Sequence, residues 1–244
     1  MIQILITIFY QPLLNLLVFF YNVIPGHDIG VSIILLTVVL KLVLYPFSIK
    51  SLHSQKALQE LQPKINALKA QYKDKKELMA SEMMKLYKEE KVSPFSSCLP
   101  LLVQLPFLFA IYQVFLNGLG AESLSLIYPF ITNPGHLSPI AFGFLDLSKS
   151  NWILAILAAA AQFWQAKMLV GKKPEVKAPG SKDENMAAMM NKQMTIFMPI
   201  MTLVIGMSLP GGLVMYWFVV TVLTALQQII TFRSIDRKKA LAKA

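Results

Sequence analysis

Five stretches of this chain, residues 29–49, 97–117, 151–170, 194–209 and 213–232, are almost wholly apolar and contain no Asp or Glu. Blocks of this length cannot be solvated by water. As helices they approach the ~30 Å hydrocarbon core of a bilayer and read as membrane spans. The balance of the chain agrees: 55% of the 244 residues are hydrophobic and 15% charged, where a soluble domain sits near about 25% charged. The expected fold is all-α and polytopic: a five-helix transmembrane core forming a single membrane domain over residues 1–244.

The polar remainder lies between these blocks. Residues 1–24 carry no Lys or Arg, so the basic start of a secretory signal is missing. Gln3, Thr7, Gln11 and Asn15 recur every four residues, with Leu, Ile and Phe opposite. Residues 1–28 are therefore expected to form an amphipathic helix in the membrane interface, ending at the turn Pro25-Gly26-His27-Asp28. A sixth span is the open alternative. In residues 50–96, Leu58, Leu61, Ile65, Leu68 and Tyr72 repeat at helical spacing, as do Met79, Met83 and Leu86, with Asp74-Lys75-Lys76 between them. That pattern predicts a helical hairpin outside the bilayer. Residues 118–150 form a loop whose segment Ile140–Leu145 is apolar enough to dip into the interface, and Pro210-Gly211-Gly212 joins the last two spans tightly.

Charge orients these pieces. Residues 50–96, 167–193 and 233–244 hold 21 of the 23 Lys and Arg residues. Only Lys149 lies in the opposite loops, and Lys41 lies inside a span. The positive-inside rule then puts the N-terminus outside, with the hairpin and the basic tail 233–244 in the cytoplasm.

Lys41 sits about 12 residues, roughly 18 Å of helix, into the span 29–49. A lysine at that depth costs ~2.5–3.5 kcal/mol on insertion scales. Snorkelling to the inner surface is one reading. The other is a wet cavity reached from the cytosol. Thr37, Lys41, Tyr45 and Ser48 share a face of a straight helix, and Gln104, Gln162, Tyr216, Thr224, Gln227 and Gln228 are polar groups inside other spans. Each of the glutamines can equally serve as an interhelical hydrogen-bonding residue. No carboxylate pair, nucleophile–base set or phosphate loop is visible, so no enzyme chemistry is expected. The lone Cys98 reads as a small apolar residue, and His27, His53 and His136 share no metal-ligand spacing. No cofactor or metal is expected.

Four stretches resemble the YidC family of membrane protein insertases, within the wider Oxa/Alb superfamily. They are Ile34 to Pro46 with Lys41; Leu61-Gln62-Pro63-Lys64-Ile65 followed by Met83 to Glu89; Cys98 to Pro106; and Pro210 to Trp217 with Gln227-Gln228 further on. The likeness covers residues 10 to 235. In this chain Lys41 stands where bacterial members usually have Arg, Thr221 where the family often has Asn, and Ser97 where Gly is common. Neither a large extracytoplasmic domain before the core nor a lipobox cysteine is expected.

The resemblance implies a groove open to cytosol and lipid and closed outside, lined by Lys41, Thr37, Tyr45, Ser48, Gln104, Gln162, Tyr216, Thr221, Thr224 and Gln228. Lys41 would attract an acidic client segment. The client helix would leave along the second and fourth spans, past Met194, Met198 and Met201, without nucleotide hydrolysis. Those methionines read equally as a flexible core or lipid face. The implied partners are client membrane proteins, the lipid bilayer, a Sec-type translocon and the ribosome, with a monomer expected in the bacterial inner membrane. Arg233, Arg237, Lys238 and Lys239 would touch ribosomal RNA or anionic lipid, unless they only set topology. A small transporter or anion channel with Lys41 as its binding charge is the rival reading.

Overall fold

A computed structural model of the chain describes residues 6–72, 75–93, 99–116, 123–169 and 193–242. The predicted features at Gln3, Asp74, Ser97 and Cys98 fall outside them. Helix α1 runs from Ile6 to Val23, its first turn, Ile6–Tyr10, wound as a π-helix. Helix α2 (Ile29–Val43) starts at Asp28, whose carboxylate accepts a hydrogen bond from the Val31 amide at 2.9 Å. This N-cap satisfies one of the orphan donors of the first turn.

The helix expected to run straight over 29–49 is two helices. α2 ends at Val43, and α3 (Tyr45–Gln71) leaves it at 70°. Tyr45-Pro46 explains the break. Proline cannot donate into the preceding turn and is best accommodated where a helix begins, as Pro46 is in the first turn of α3. α3 and α4 (Lys76–Glu89) then form the expected hairpin. Leu61 and Ile65 of its predicted stripe are buried, and Lys64 pairs with Glu90 across it. On the exposed face of α4, Glu82 holds the Lys85 ammonium above its ordinary pKa.

Helix α5 (Leu99–Leu116) packs against α1 and α8, with the Phe9 and Phe107 rings edge to face at 5.5 Å. After the 3₁₀ turn Ser123–Leu126, a two-stranded hairpin pairs β1 (Ile140–Ala141) antiparallel with β2 (Leu145–Asp146). Helix α6 (Trp152–Leu169) packs against α7 (Met198–Gly206), which is preceded by the π-helical turn Gln193–Phe197. Small residues allow a close approach here: a Cβ on Gly206 would lie 3.2 Å from that of Ala155.

Helix α8 (Gly211–Leu241) contacts α6, α2, α3 and α5. Its 31 residues measure ~46 Å, more than a hydrocarbon core needs. Residues 233–241 of the expected basic tail therefore continue the last helix. Helices α1, α6 and α8 are long and apolar enough to cross a membrane, and α2 with α3 passes the same test as a broken span. Shorter apolar runs occupy α5 (Leu102–Leu116) and α7. The protein is all-α and polytopic.

Of the predicted polar row of α1, Thr7 is exposed, Gln11 half-buried and Asn15 buried. Asn15 is 2% exposed. Its amide donates to the Leu126 carbonyl at 3.1 Å and accepts from the Tyr128 amide at 2.6 Å. Gln11 also donates to Leu126, and Asn22 to the Thr132 carbonyl. The row thus satisfies the backbone of the 123–138 loop. The loop then reaches the starts of three helices. The Phe142 amide donates to Asp28, Asn151 caps α6, and Gly211 and Gly212 donate to the carbonyls of Lys149 and Leu147 at 2.8 and 2.9 Å. Helices α2, α6 and α8 all begin at this loop end. At the foot of the β-hairpin, hydrogen bonds from Ser148, then from Lys149, hold the Asp146 carboxyl below the usual carboxylate range.

Candidate functional site

Lys41 lies in the last turn of α2, two residues before the bend. Its ammonium donates to the Thr224 hydroxyl on α8 at 3.0 Å, and that hydroxyl donates to the Val220 carbonyl at 2.5 Å. Among the described residues no carboxylate pairs with Lys41. A hydroxyl dipole cannot neutralise a cation, so a net positive charge remains between α2 and α8. Leu42 and Val43 beside it are about two-thirds exposed, which puts the charge next to an open apolar surface.

One turn past the bend, the Ser48 hydroxyl donates to the Gln227 side-chain oxygen at 2.8 Å. The Gln227 amide nitrogen and both polar atoms of Gln228 are buried without a hydrogen-bonding partner among the described residues. Thr221 and Gln228, 5% and 0% exposed, lie along α8 on either side of Thr224. Lys41, Ser48, Thr221, Thr224, Gln227 and Gln228 thus form one polar track down α8. It starts where α2 breaks.

The other predicted lining residues divide differently. Thr37 is fully buried and bonds to its own helix, at the Ile33 carbonyl, 2.6 Å away. Tyr45 lies beyond the bend and is half exposed, so the four-residue face drawn for a straight helix does not survive. Gln104 donates to the Tyr216 hydroxyl between α5 and α8. Gln162 accepts from the Thr202 hydroxyl between α6 and α7. These two glutamines act as interhelical ties, the alternative left open from sequence. Thr202 is the single hydroxyl within Met198–Gly206, and sequence carries no signal for its partner, which packing sets.

Met198 and Met201 lie on the exposed apolar surface of α7 with Ile200 and Val204. The side chain of Met194 is outside the described residues. Arg233, Arg237, Lys238 and Lys239 are exposed on the last turns of α8, but Lys239 pairs with Glu60 on α3. The neighbouring Asp236 pairs with Lys56 at 3.0 Å, and Lys56 also lies 5.2 Å over the Phe232 ring. Gln59 donates to the Met168 carbonyl at the end of α6. The hairpin is therefore tied to both α8 and α6.

The sequence matches the family described as 60Kd inner membrane protein over residues 19–239. The chain belongs to that family. Relatives named Membrane protein insertase YidC include one from Nitratidesulfovibrio vulgaris, 36% identical over 222 residues, which cover 91% of this chain and 38% of the relative. One from Treponema denticola is 34% identical, covering 94% of this chain and 39% of the relative. One from Clostridium tetani is 32% identical, covering 90% and 88%. The chain spans about two fifths of the first two and most of the third. Bacterial relatives and several apolar helices place it among multi-pass proteins of the bacterial inner membrane.

Proposed function

We propose that this chain is a membrane protein insertase, working through a hydrated, positively charged groove around Lys41. The observation that carries the reading is the Lys41 ammonium, held by the Thr224 hydroxyl with no carboxylate paired to it among the described residues. A cation packed between α2 and α8 without a carboxylate among the described residues is favoured by water near it. The Gln227 nitrogen and both polar atoms of Gln228, buried without a partner among the described residues, continue the polar groups toward the hairpin.

In this reading residues 29–49, 97–117, 151–170, 194–209 and 213–232 are the five spans. The N-terminus is outside, and the hairpin and C-terminus are in the cytoplasm, as the charge distribution favours. Lys41 attracts the acidic extracytoplasmic segment of a client. Groove water lowers the cost of carrying that segment part-way. The client's apolar helix then leaves into lipid past the exposed face of α7. Its transfer from water supplies about 25 cal/mol for each Å² of apolar surface buried, so no nucleotide is required. The bilayer and client proteins are the primary partners. The ribosome at the exposed basic turns of α8, and a Sec-type translocon, are further ones. The chain does no covalent chemistry in this role.

Reconstituted proteoliposomes test the proposal. A single-span client with a short acidic N-terminal tail is presented to them, and protease-protected client is measured. Protection above protein-free liposomes is expected. Protection equal to protein-free liposomes, or anion flux without insertion, would overturn the insertase reading; the second outcome would favour a channel.

A further inference from the structure

The loop end carries large apolar side chains that no part of the described chain covers. Phe130 and Phe144 are 82% and 81% exposed. Phe142 and Ile140 are also exposed, beside Phe144 in the β1–β2 hairpin. Residues 123–145 contain no Asp, Glu, Lys or Arg. A water-facing loop of this composition would be anomalous, because contiguous exposed apolar surface on soluble proteins marks a site of interaction.

The backbone is held to keep this tip in place. Phe142 has φ of +55° and Gly143 +80°. The left-handed region is unfavourable for a bulky aromatic residue and persists only where its surroundings impose it. Here the Phe142 amide donates to the Asp28 carboxylate, which also caps α2. The hairpin seats against Gly30, where an added Cβ would lie 2.7 Å from that of Ala141. The tip is thus fastened to the first turn of the helix that carries Lys41.

We propose that this hairpin is a lipid anchor. Its Phe142 and Phe144 rings, with Phe130 nearby in sequence, insert into the interfacial layer of the bilayer at the face where α2, α6 and α8 begin. Through Asp28 they hold the start of α2 at that depth. Lipid is the occupant because the next helix, α6, is apolar and long enough to cross a membrane and opens at the same end on Trp152 and Ile153, 62% and 51% exposed. Aromatic rings favour this layer. Residues 123–145 offer no Asp, Glu, Lys or Arg to a protein partner, and the neighbouring Asp146 is already paired with Lys149. The inference does not depend on what the Lys41 track does.

Site-directed spin labelling of the full chain in lipid vesicles tests it. With Cys98 replaced by Ser, a nitroxide is placed by Phe144→Cys, by Phe130→Cys, or by Lys149→Cys as a water-exposed reference. At 144 and 130, relaxation by oxygen, which concentrates in lipid, should exceed that by a water-soluble nickel chelate. The order should invert at 149. Nickel-dominated relaxation at 144 would put the tip in water and overturn the proposal. Shielding from both reagents would mean a protein cover and overturn it equally. Asp28→Ala should shift the 144 label toward the nickel reagent, and Asp28→Asn, whose single acceptor oxygen cannot serve both the Val31 and the Phe142 amides, should shift it part of the way. An unshifted Asp28→Ala label would remove Asp28 as the positioning residue. Insertion activity is not the readout, so failure here leaves the insertase proposal standing.

Discussion

The two ends of this bundle satisfy their polar groups in opposite ways. At the loop end, side chains bond to backbone: Asn15 to Leu126 and Tyr128, Asp28 to Val31 and Phe142, Asn151 to Leu154. Loop carbonyls bond to the first amides of α8. At the Lys41 end, Lys41 and Ser48 bond to side chains, and the Gln227 nitrogen and the Gln228 amide are left without a partner among the described residues. A buried polar group without a partner costs about 1–3 kcal/mol. The first end is built as a seal. The second retains polar capacity that water or a client can use.

The largest effect that would break this contrast is at Lys41. A carboxylate 4 Å from an ammonium gains ~4 kcal/mol at an effective dielectric of 20. Lys41→Ala should therefore reduce insertion of a client with an acidic tail by up to about 1,000-fold. Lys41→Arg should stay close to the parent, because the charge survives. Full insertion by Lys41→Ala in the liposome assay would remove the charge step.

Next comes the seal. A Cβ on Gly212 would lie 2.2 Å from the Phe115 ring, at a residue whose amide bonds to Leu147. Overpacking of this kind costs about 1–3 kcal/mol. Gly212→Ala should lower the thermal midpoint in detergent, and adding Phe115→Leu should restore part of the loss. An unchanged midpoint would mean that this end is looser than its hydrogen bonds imply.

Gln228 reverses the sign. Replacing an unpartnered buried amide by an apolar side chain of similar shape is neutral or stabilising. Gln228→Met should leave the midpoint unchanged or raise it by up to about 1–3 kcal/mol of stability. Insertion should fall if the amide serves the groove. Marked destabilisation by Gln228→Met would show that the amide is bonded in the membrane and would erase the difference between the ends.

What the sequence disclosed follows the same division. Apolar blocks, hairpin periodicity and charge asymmetry are local or summed properties, and the all-α polytopic fold was legible in them. Lys41 stood out because it is alone in its block. Thr224 as its acceptor was harder to see, since the two residues lie 183 positions apart and only the α2–α8 packing joins them. The bend at Leu44 was written in Tyr45-Pro46, yet a straight helix was assumed, and Tyr45 was misplaced for that reason. Gln104 and Gln162 look identical in sequence to Gln228. Partners on neighbouring helices decide which is a tie and which is left unpaired.

The smallest expected effect lies where the hairpin meets α8. Ser48–Gln227, Lys56–Asp236 and Glu60–Lys239 are separated in sequence by 179, 180 and 179 residues. The near-constant offset means that α3 and α8 run parallel along one seam, which leads from the polar track to the basic turns. Its two ion pairs are reversed in sense, Lys56 on α3 facing Asp236 and Glu60 on α3 facing Lys239. One partner of each is more than half exposed, with side chains of Asp236 and Lys239 at 58% and 53%. Each pair is therefore worth only about 0–1 kcal/mol, less at high salt. Glu60→Lys should weaken a disulfide cross-link engineered between α3 and α8 outside the pairs, and Glu60→Lys with Lys239→Glu should restore it. Restoration that persists in molar salt would mean that packing, not charge, sets the register. The seam would then be as rigid as the loop end, and the hairpin could not move relative to the track.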